Sequence, residues 1–503
     1  MKGNALLSCT VALCLFSLSP VYASTNSPAP QSQSTQKPPA GIQDKLDDLV
    51  ELLPELKRLQ YQTATFHDSG DKQTASWSFL YSNDPSGSKK SHITASIRIN
   101  AATGSLTGYD MRNPDWSTGS APSEEKAKKV AASFADSVLF ESYSIADEVL
   151  TGTAKTDSEN LVGVVLYQKI NGIPLEKKWA TVWVNGEGNV VRFHSDRLEL
   201  PKESAFPNQY KVITASAAKE AYGKQIELLP MYHNNEFLYM ILHKSALNAV
   251  DGTPLANKLE YHSLGTKSIN PHGSPLNISS AAEAKQLLMS SFGFEPGALE
   301  ARQSDVKEDN QTVKVYSWGP GVSTDIRFAE VRVQAKTGLP LSIYLDRTQA
   351  SPQSAPTKED MQKSALAIAE QLLPSGVNEI SLLERESLEI GKQTEFLMYR
   401  SKNGIMFADG YVRVSVNNVT GKVHYAEYKE VNATSALPDS ASIIPADRAK
   451  QAYLDQLRLE LFYTIPTDDE DTAYLIYAPV SKNEMVHATT GNVISSPEGF
   501  LFP

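Results

Sequence analysis

Cysteine is almost absent: two in 503 residues, Cys9 and Cys14. Both fall in an N-terminal stretch with the make-up of a secretory signal. Lys2 supplies the positive start, Ala5 to Leu18 is apolar, and Val21 and Ala23 are the small residues of a cleavage site. Cleavage after Ala23 is expected, and the mature chain then has no thiol. That excludes disulfides, a thiolate nucleophile and cysteine metal ligation. A lipoprotein signal does not fit, because Leu13 before Cys14 is not small and Cys9 has little apolar chain ahead of it. Long apolar runs are missing too. The stretch from Ala5 to Leu18 is shorter than the roughly 20 residues of a membrane-crossing helix, so no membrane span is expected after signal cleavage. Basic runs are lacking: 47 Lys and Arg stand against 58 Asp and Glu, a formal charge of −11. Nucleic acid and anionic lipid both reward clustered cations, so neither is an expected partner.

Linear catalytic motifs are equally scarce. There is no His-Glu-x-x-His, and the nine histidines are scattered; His243 and His262 do not have a ligand spacing. Neither a Gly-x-Ser-x-Gly elbow nor a Walker loop occurs. "GEGN" from Gly186 lacks the third glycine of a dinucleotide fingerprint and reads as a turn. Ser-x-x-Lys occurs at Ser86/Lys89, Ser123/Lys126 and Ser216/Lys219. The last two fall at helix starts, where a capping serine and a surface lysine are the simpler reading. The acidic run Asp468-Asp469-Glu470-Asp471 lacks the spaced pattern of a calcium loop and reads as a solvated hairpin loop, with "HNNE" (His233 to Glu236) as its counterpart. No catalytic, cofactor-binding or metal-binding residue is therefore expected, and the chain is read as a non-enzyme.

What is present is repetition. "YQKINGIPLEKKWATVWVNGEGNVVRF" from Tyr167 returns as "YRSKNGIMFADGYVRVSVNNVTGKVHY" from Tyr399, 232 positions later. The stretch ending at Gly104 matches the one ending at Gly338 at an offset of 234. Ala218 to Tyr222 faces Ala449 to Tyr453, and Tyr232 faces Tyr463, both at 231. Four separate stretches within three positions of one offset mark a tandem duplication. The expected organisation is a signal peptide (1–23), a Pro/Ser/Gln-rich tether (24–41), a first repeat unit (42–270) and a second (276–503), with the break near Lys267 to Pro275. The tether has too little apolar surface to offset its ordering entropy. With no disulfides, each unit must bury enough apolar surface to stand alone.

Within each unit, capped helices alternate with extended segments. Pro122-Ser123 opens one helix, Thr357 with Asp360 a second, and Ser280 with Glu283 a third. In the last, Ala284, Leu287, Leu288 and Phe292 form one apolar stripe. Val412, Val414 and Val416 alternate with Arg413 and Ser415, and Ile97 and Ile99 flank Arg98. This predicts half-buried antiparallel strands with one face on a helix and the other in water. Turns end in glycine at Gly104, Gly188, Gly338 and Gly421, and Gly252 and Gly491 mark a third pair. Asn171-Gly172 and Asn403-Gly404 predict tight hairpins. The fold class expected is α+β: tandem helices, each packed on a small antiparallel sheet, in two large units of about three modules each. Trp179 matches Tyr411, so an aromatic there reads as structural in both units. Trp183 has Ser415 at its equivalent position; core packing or a domain contact is the favoured reading, and exposure on an adhesive sheet face the alternative.

The pattern Tyr-x-x-x-Asn-Gly-Ile, a valine-rich strand, a glycine turn and a further strand resembles the YcdB/YcdC repeated domain, a secreted bacterial family of PepSY-like character and undefined role. "LRLELFYTIPTDDEDTAYLIY" followed by "HATTGNVI" is similar to the family's ending. PepSY domains, and the similar propeptides of secreted metalloproteases, are associated with restraining peptidases in the cell envelope. The resemblance thus implies a secreted, extracytoplasmic and non-catalytic binding protein. Its partner would be a protein or peptide, an extracytoplasmic peptidase among the candidates, with main-chain pairing at a sheet edge as the mode. A structural spacer of the envelope is the alternative, and an enzyme whose site assembles without a linear motif is the third reading. The first unit departs from the pattern at "LLPMYHNNEFLYMIL" and at Trp183, so the two units need not bind the same thing.

Overall fold

A computed structural model describes residues 37–495 apart from 69–74, 85–92, 117–119, 140–141, 154–159, 197–199, 243–244, 256–259, 272–275, 295–299, 309–310, 320–325, 348–355, 388–392, 432–441, 467–470 and 481–483. The expected signal, most of the tether, His243, the Ser86/Lys89 pair, Asp468 to Glu470 and part of the repeat break lie outside the described residues. Two compact units divide the chain: Met1–Val212 with Glu460–Val480, and Ile213–Leu459 with Ser481–Pro503.

Unit 1 contains α1 (Ala40–Leu52), β1 (Gln60–His67), β2 (Ser76–Ser82), β3 (Thr94–Asn100), β4 (Leu106–Arg112), α2 (Glu124–Val138), β5 (Tyr143–Thr153), β6 (Asn160–Ile170), β7 (Ile173–Pro174), β8 (Ala180–Val184) and β9 (Val190–Ser195). α1 begins two residues inside the stretch read as tether. The strands form one sheet in the order β1-β2-β3-β4-β9-β8-β6-β5, with β7 on β6. Alternation sends Ile97, Ile99, Val162, Val164, Leu166, Val182 and Val184 to one face. There they pack with Leu46 and Leu49 of α1 and Ala127, Ala131 and Phe134 of α2. Ser123 caps α2 by accepting a hydrogen bond from Lys126 N, and Glu124 and Glu125 stand at its positive end.

Unit 2 contains α3 (Ala215–Gln225), β10 (Glu227–His233), β11 (Glu236–Leu242), β12 (Leu247–Asn248), β13 (His262–Ser268), α4 (Ala281–Phe292), β14 (Arg302–Glu308), β15 (Gln311–Trp318), β16 (Ile326–Gln334), β17 (Pro340–Arg347), α5 (Lys358–Leu372), β18 (Glu379–Ser387), β19 (Gln393–Lys402), β20 (Ile405–Asn417), β21 (Val423–Lys429) and α6 (Ala446–Gln456). After it the chain supplies β22 (Leu459–Thr464) and β23 (Tyr474–Pro479), which neighbour each other in a separate sheet, then β24 (Glu484–His487) and β25 (Val493–Ser495). From Glu460 to Val480, covering nearly all of this hairpin, the chain belongs to unit 1. Unit 2's sheet runs β14-β15-β16-β17-β21-β20-β10-β11-β24-β25, with β19, β18 and β13 branching from β20. Its main core places Val331, Val333, Phe396, Met398, Val412, Val414 and Val416 against Leu287 and Leu288 of α4 and Ala365 and Ile368 of α5. Both expected capping boxes form, Ser280 with Glu283 and Thr357 with Asp360.

The glycine-ended turns share one construction. In five of them a glycine N–H returns to the carbonyl four residues back: Gly104 to Asn100, Gly252 to Asn248, Gly338 to Gln334, Gly421 to Asn417 and Gly491 to His487. Each glycine has a positive φ, from 68 to 78°, a region other residues enter at a cost. Asn100 and Asn417 add side-chain acceptors for the intervening N–H groups. Asn171-Gly172 and Asn403-Gly404 have positive φ at both positions, as a two-residue type I′ hairpin demands, and Asn234-Asn235 does the same between β10 and β11.

The expectation of helices each backed by a small sheet, about three modules to a unit, is overturned. The described residues are mostly β-sheet, with three sheets and six α-helices, and the strands join into continuous sheets of nine and thirteen. The reason lies at the module edges. β4 pairs with β9 through Gly108–His194, Tyr109–Phe193 and Asp110–Arg192, and β17 pairs with β21 through Ser342–Glu427 to Tyr344–Tyr425. An open edge carries unpaired N–H and C=O groups; joining neighbouring edges satisfies them and erases the boundary between modules.

Candidate functional site

In unit 2 the face of β18–β21 opposite the helices does not meet water as the alternation implies. Ser415 is 6% and Glu395 7% exposed. Register explains what gathers there. Arg385 on β18 is the direct partner of Glu395 on β19, Glu395 of Ser415 on β20, and Ser415 of Tyr425 on β21. One row along, Leu397 faces Arg413 and Arg413 faces Glu427. A row of two opposite charges, a serine and a tyrosine therefore crosses four strands, with a second ion pair in the row beside it.

Glu395 and Glu427, one from each row, both have a cation and a phenol. Glu395 takes Arg385 at 2.7 Å and a short hydrogen bond from Tyr261, whose ring lies under the same guanidinium with 4.5 Å to the centroid. Glu427 pairs closely with Arg413 and accepts from the Tyr411 hydroxyl at 2.7 Å and the Tyr425 hydroxyl at 3.0 Å. Burial first, then the adjacent carboxylates, raises the pKa of Tyr261, Tyr411 and Tyr425, so all three stay neutral donors. Burial works against the charge on Arg413, but Glu427 outweighs it and the guanidinium stays protonated. Beside this network Tyr261, Leu383, Leu397, Tyr399 and Tyr411 close with Met231, Leu238, Met240 and Met485 into a second apolar cluster. β10 and β11 thus cover part of the face that the sequence assigns to solvent.

Unit 1 carries different chemistry at the same positions. Gly163 stands opposite Trp183 in the register that sets Glu395 opposite Ser415, at the offset of 232 in both strands. The Trp183 ring lies on a shelf made by two glycines: a Cβ on Gly152 would come within 2.7 Å of it and one on Gly163 within 2.9 Å. The row continues through Arg192, which pairs with Asp110 at 2.6 Å. Thr181, at the position of Arg413, is buried. The duplication has kept the strands and exchanged a charged network for one indole.

Both units seat a hairpin in the same manner. In unit 2, β10 runs parallel to the start of β20, with Met231 opposite Met406 and Tyr232 opposite Phe407. In unit 1, Tyr463 of β22 makes a parallel bridge with Leu175, and Glu176 N donates to Tyr463 O at 2.8 Å. Tyr232 and Tyr463 are equivalent in sequence, as are Leu175 and Phe407. The Tyr463 hydroxyl donates to Pro207 O at 2.7 Å, and its ring meets Phe206 edge-on at 5.0 Å.

The residues weighed in the sequence separate cleanly. Ser123 is a helix cap, and Lys126 Nζ donates to Gly186 O at 2.8 Å, 60 residues away. Ser216 does not cap α3; Thr214 does, and Lys219 reaches Asp455 O at 3.4 Å. His262 is exposed on β13. Trp179 is buried in the unit 1 core, and Tyr411 is buried beside Glu427. Among the described residues no group of three or more His, Cys, Asp or Glu could hold a metal ion, and no helix is long and apolar enough to cross a membrane. Sequence reasoning missed Tyr261, Arg385, Glu395, Arg413 and Glu427. The available signal was a charge inside an otherwise apolar strand, Glu395 in "QTEFLMY".

Residues 59–197 match the family model of the YcdB, YcdC repeated domain. Over that stretch, which supplies all nine strands of the unit 1 sheet, the resemblance read from the sequence holds. The C-terminal domain of YpeB from Bacillus megaterium is similar in structure at 17% identity, over 44% of this chain and 100% of that domain, with a TM-score of 0.28. Likeness at that score supports nothing further. No curated protein matches the chain.

Proposed function

We propose that the protein is a secreted, non-catalytic binding protein of the cell envelope, which holds an extended segment of a protein partner at a sheet edge. An extracytoplasmic peptidase is the class of partner that the family resemblance implies. The observation that carries this reading is β14. Among the described residues it is the end strand of the unit 2 sheet, paired along one side only, from Arg302–Ser317 to Glu308–Gln311. Its side chains are exposed from Arg302 to Lys307, on both faces. Such a strand presents main-chain donors and acceptors to a peptide, which is how extended segments add to sheets. Its charges, Arg302, Asp305, Lys307 and Glu308, discourage indiscriminate pairing between copies. Supporting the non-catalytic part, the buried carboxylate of Glu395 and the part-buried one of Glu427 are occupied by arginine and tyrosine partners.

The test is incubation of the mature chain with peptidases secreted by the same cells. Co-elution or slow stoichiometric inhibition is expected, with hydrogen exchange slowed across 302–308. Absence of both, together with firm retention in the envelope, would replace this reading with the spacer role. Turnover that vanishes on exchanging one carboxylate or serine would replace it with an enzyme.

A further inference from the structure

The hairpins β10–β11 and β22–β23 are equivalents in the duplicated sequence, yet each is seated away from its own repeat. β10–β11 belongs to the first repeat of the sequence and lies in the unit built from the second. Residues Glu460–Val480 belong to the second repeat and lie in the unit built from the first. Each is received in the same parallel register by the segment after the Asn-Gly turn, at Phe407 in one unit and at Leu175 in the other. We propose that this receiving edge is a self-recognition site: its occupant is the tyrosine-bearing hairpin of a repeat of this kind, and in the intact chain each repeat fills the other's.

Three observations carry the inference. The seat is built for an apolar hairpin, because Met231, Leu238 and Met240 are buried with Leu397, Tyr399, Met406 and Met485. The hairpin is also paired along its second strand, where Leu238, Tyr239 and Met240 face His487, Val486 and Met485. The Tyr239 hydroxyl reaches Ile444 O at 2.6 Å, fixing the hairpin to a residue of the second repeat. In sequence the two hairpins differ between their strands, Asn234-Asn235 in one and a longer acidic stretch ending at Asp471 in the other. Both stretches lie outside the parallel register that recognition uses. Recognition therefore survives the divergence between the repeats. A chain cut between its repeats would remain one particle, each part held by the other's hairpin.

The test uses the full chain with Cys9 and Cys14 replaced by serine, a protease site placed at 272–275, and the pair Leu238→Cys/His487→Cys. Ala488 N donates to Phe237 O, which makes the next pair, Leu238 and His487, non-hydrogen-bonded, with Cα atoms about 4.5 Å apart and within reach of a disulfide. After cutting, a non-reducing denaturing gel is expected to show one band at the mass of the intact chain, at every dilution, and reduction to release two fragments. Leu175→Cys/Tyr463→Cys should behave alike. No cross-link, or a cross-link only between different molecules, overturns the proposal. As a check independent of cysteine, the cut chain without the pair should elute as one particle with the strands of 227–242, 459–464 and 474–479 still protected from hydrogen exchange. Fragments that elute apart sink the inference.

Discussion

Arg385 on β18 holds its guanidinium 2.7 Å from the carboxylate of Glu395 on β19, its direct partner across the strands. Removing one member of such a pair leaves the other buried and uncompensated, which costs about 3–5 kcal/mol. The Arg385 side chain keeps 25% exposure, so Arg385→Ala is expected near the lower end, about 3 kcal/mol by chemical denaturation. Replacing both by methionine should recover most of that loss. A double variant as unstable as the single one would mean that the pair is not the source of the effect.

Gly163 and Trp183 form a coupled pair. An alanine methyl at Gly163 would meet a rigid ring at 2.9 Å, and such overpacking costs about 1–3 kcal/mol. In a Trp183→Ser background, the residue of the second unit, the same change should be close to neutral. Tryptophan fluorescence and urea midpoints of the four proteins measure this directly. Additive effects would show that the shelf does not constrain the indole.

The buried phenols set an alkaline limit. Burial, Tyr61 and Asp47 push Tyr81 up to about 12, and Tyr261, Tyr399, Tyr411 and Tyr425 are raised chiefly by burial. A folded pKa above the free value of 10.0 means that the neutral phenol is favoured by folding. This contribution is complete below pH 10 and is lost as the pH rises through the folded pKa. Stability should therefore fall above pH 10, with phenolate absorbance appearing together with loss of secondary structure. These tyrosines ionising near pH 10 in a folded chain would contradict the assignment.

Helix α4 depends on a reciprocal cap. The Ser280 side chain accepts from Glu283 N, and the Glu283 carboxylate accepts from the N–H groups of Ser279 and Ser280. Ser280→Ala should cost about 1 kcal/mol. Hydrogen bonds to Ser279 and Ser280 lower the Glu283 pKa, so the cap's contribution is present above the free carboxylate value of 4.5 and fades as pH falls through the depressed one. Ser280→Ala should accordingly matter less in acid. An equal penalty at both pH values would rule out the reciprocal arrangement.

Features confined to a few neighbouring residues were legible in the sequence. The Asn-Gly hairpins, the glycine turns and the capping boxes of α4 and α5 each depend on side chains within four positions of one another, so spacing alone locates them. The ionic face was not legible. Arg413 between Val412 and Val414 has the pattern of a solvent-facing residue, and only its cross-strand pairing with Glu427 and its place over the Tyr425 ring leave it part-buried. The joining of modules into long sheets was equally hidden, since Tyr109 gives no local sign that Phe193 will stand beside it. The third tight turn, Asn234-Asn235, lay in a stretch read as a counterpart of the acidic loop.

The seating of Tyr463 against Leu175 has a consequence for biosynthesis. A chain made from its N-terminus produces nearly all of the first unit early, but the strand that completes it only at the end. The first unit therefore cannot finish folding while the second is still being made. Its late step is closure over a very long stretch of chain, the kind of contact that slows folding. A stop introduced shortly before β22 would thus expose an unfilled edge hundreds of residues upstream of the lesion.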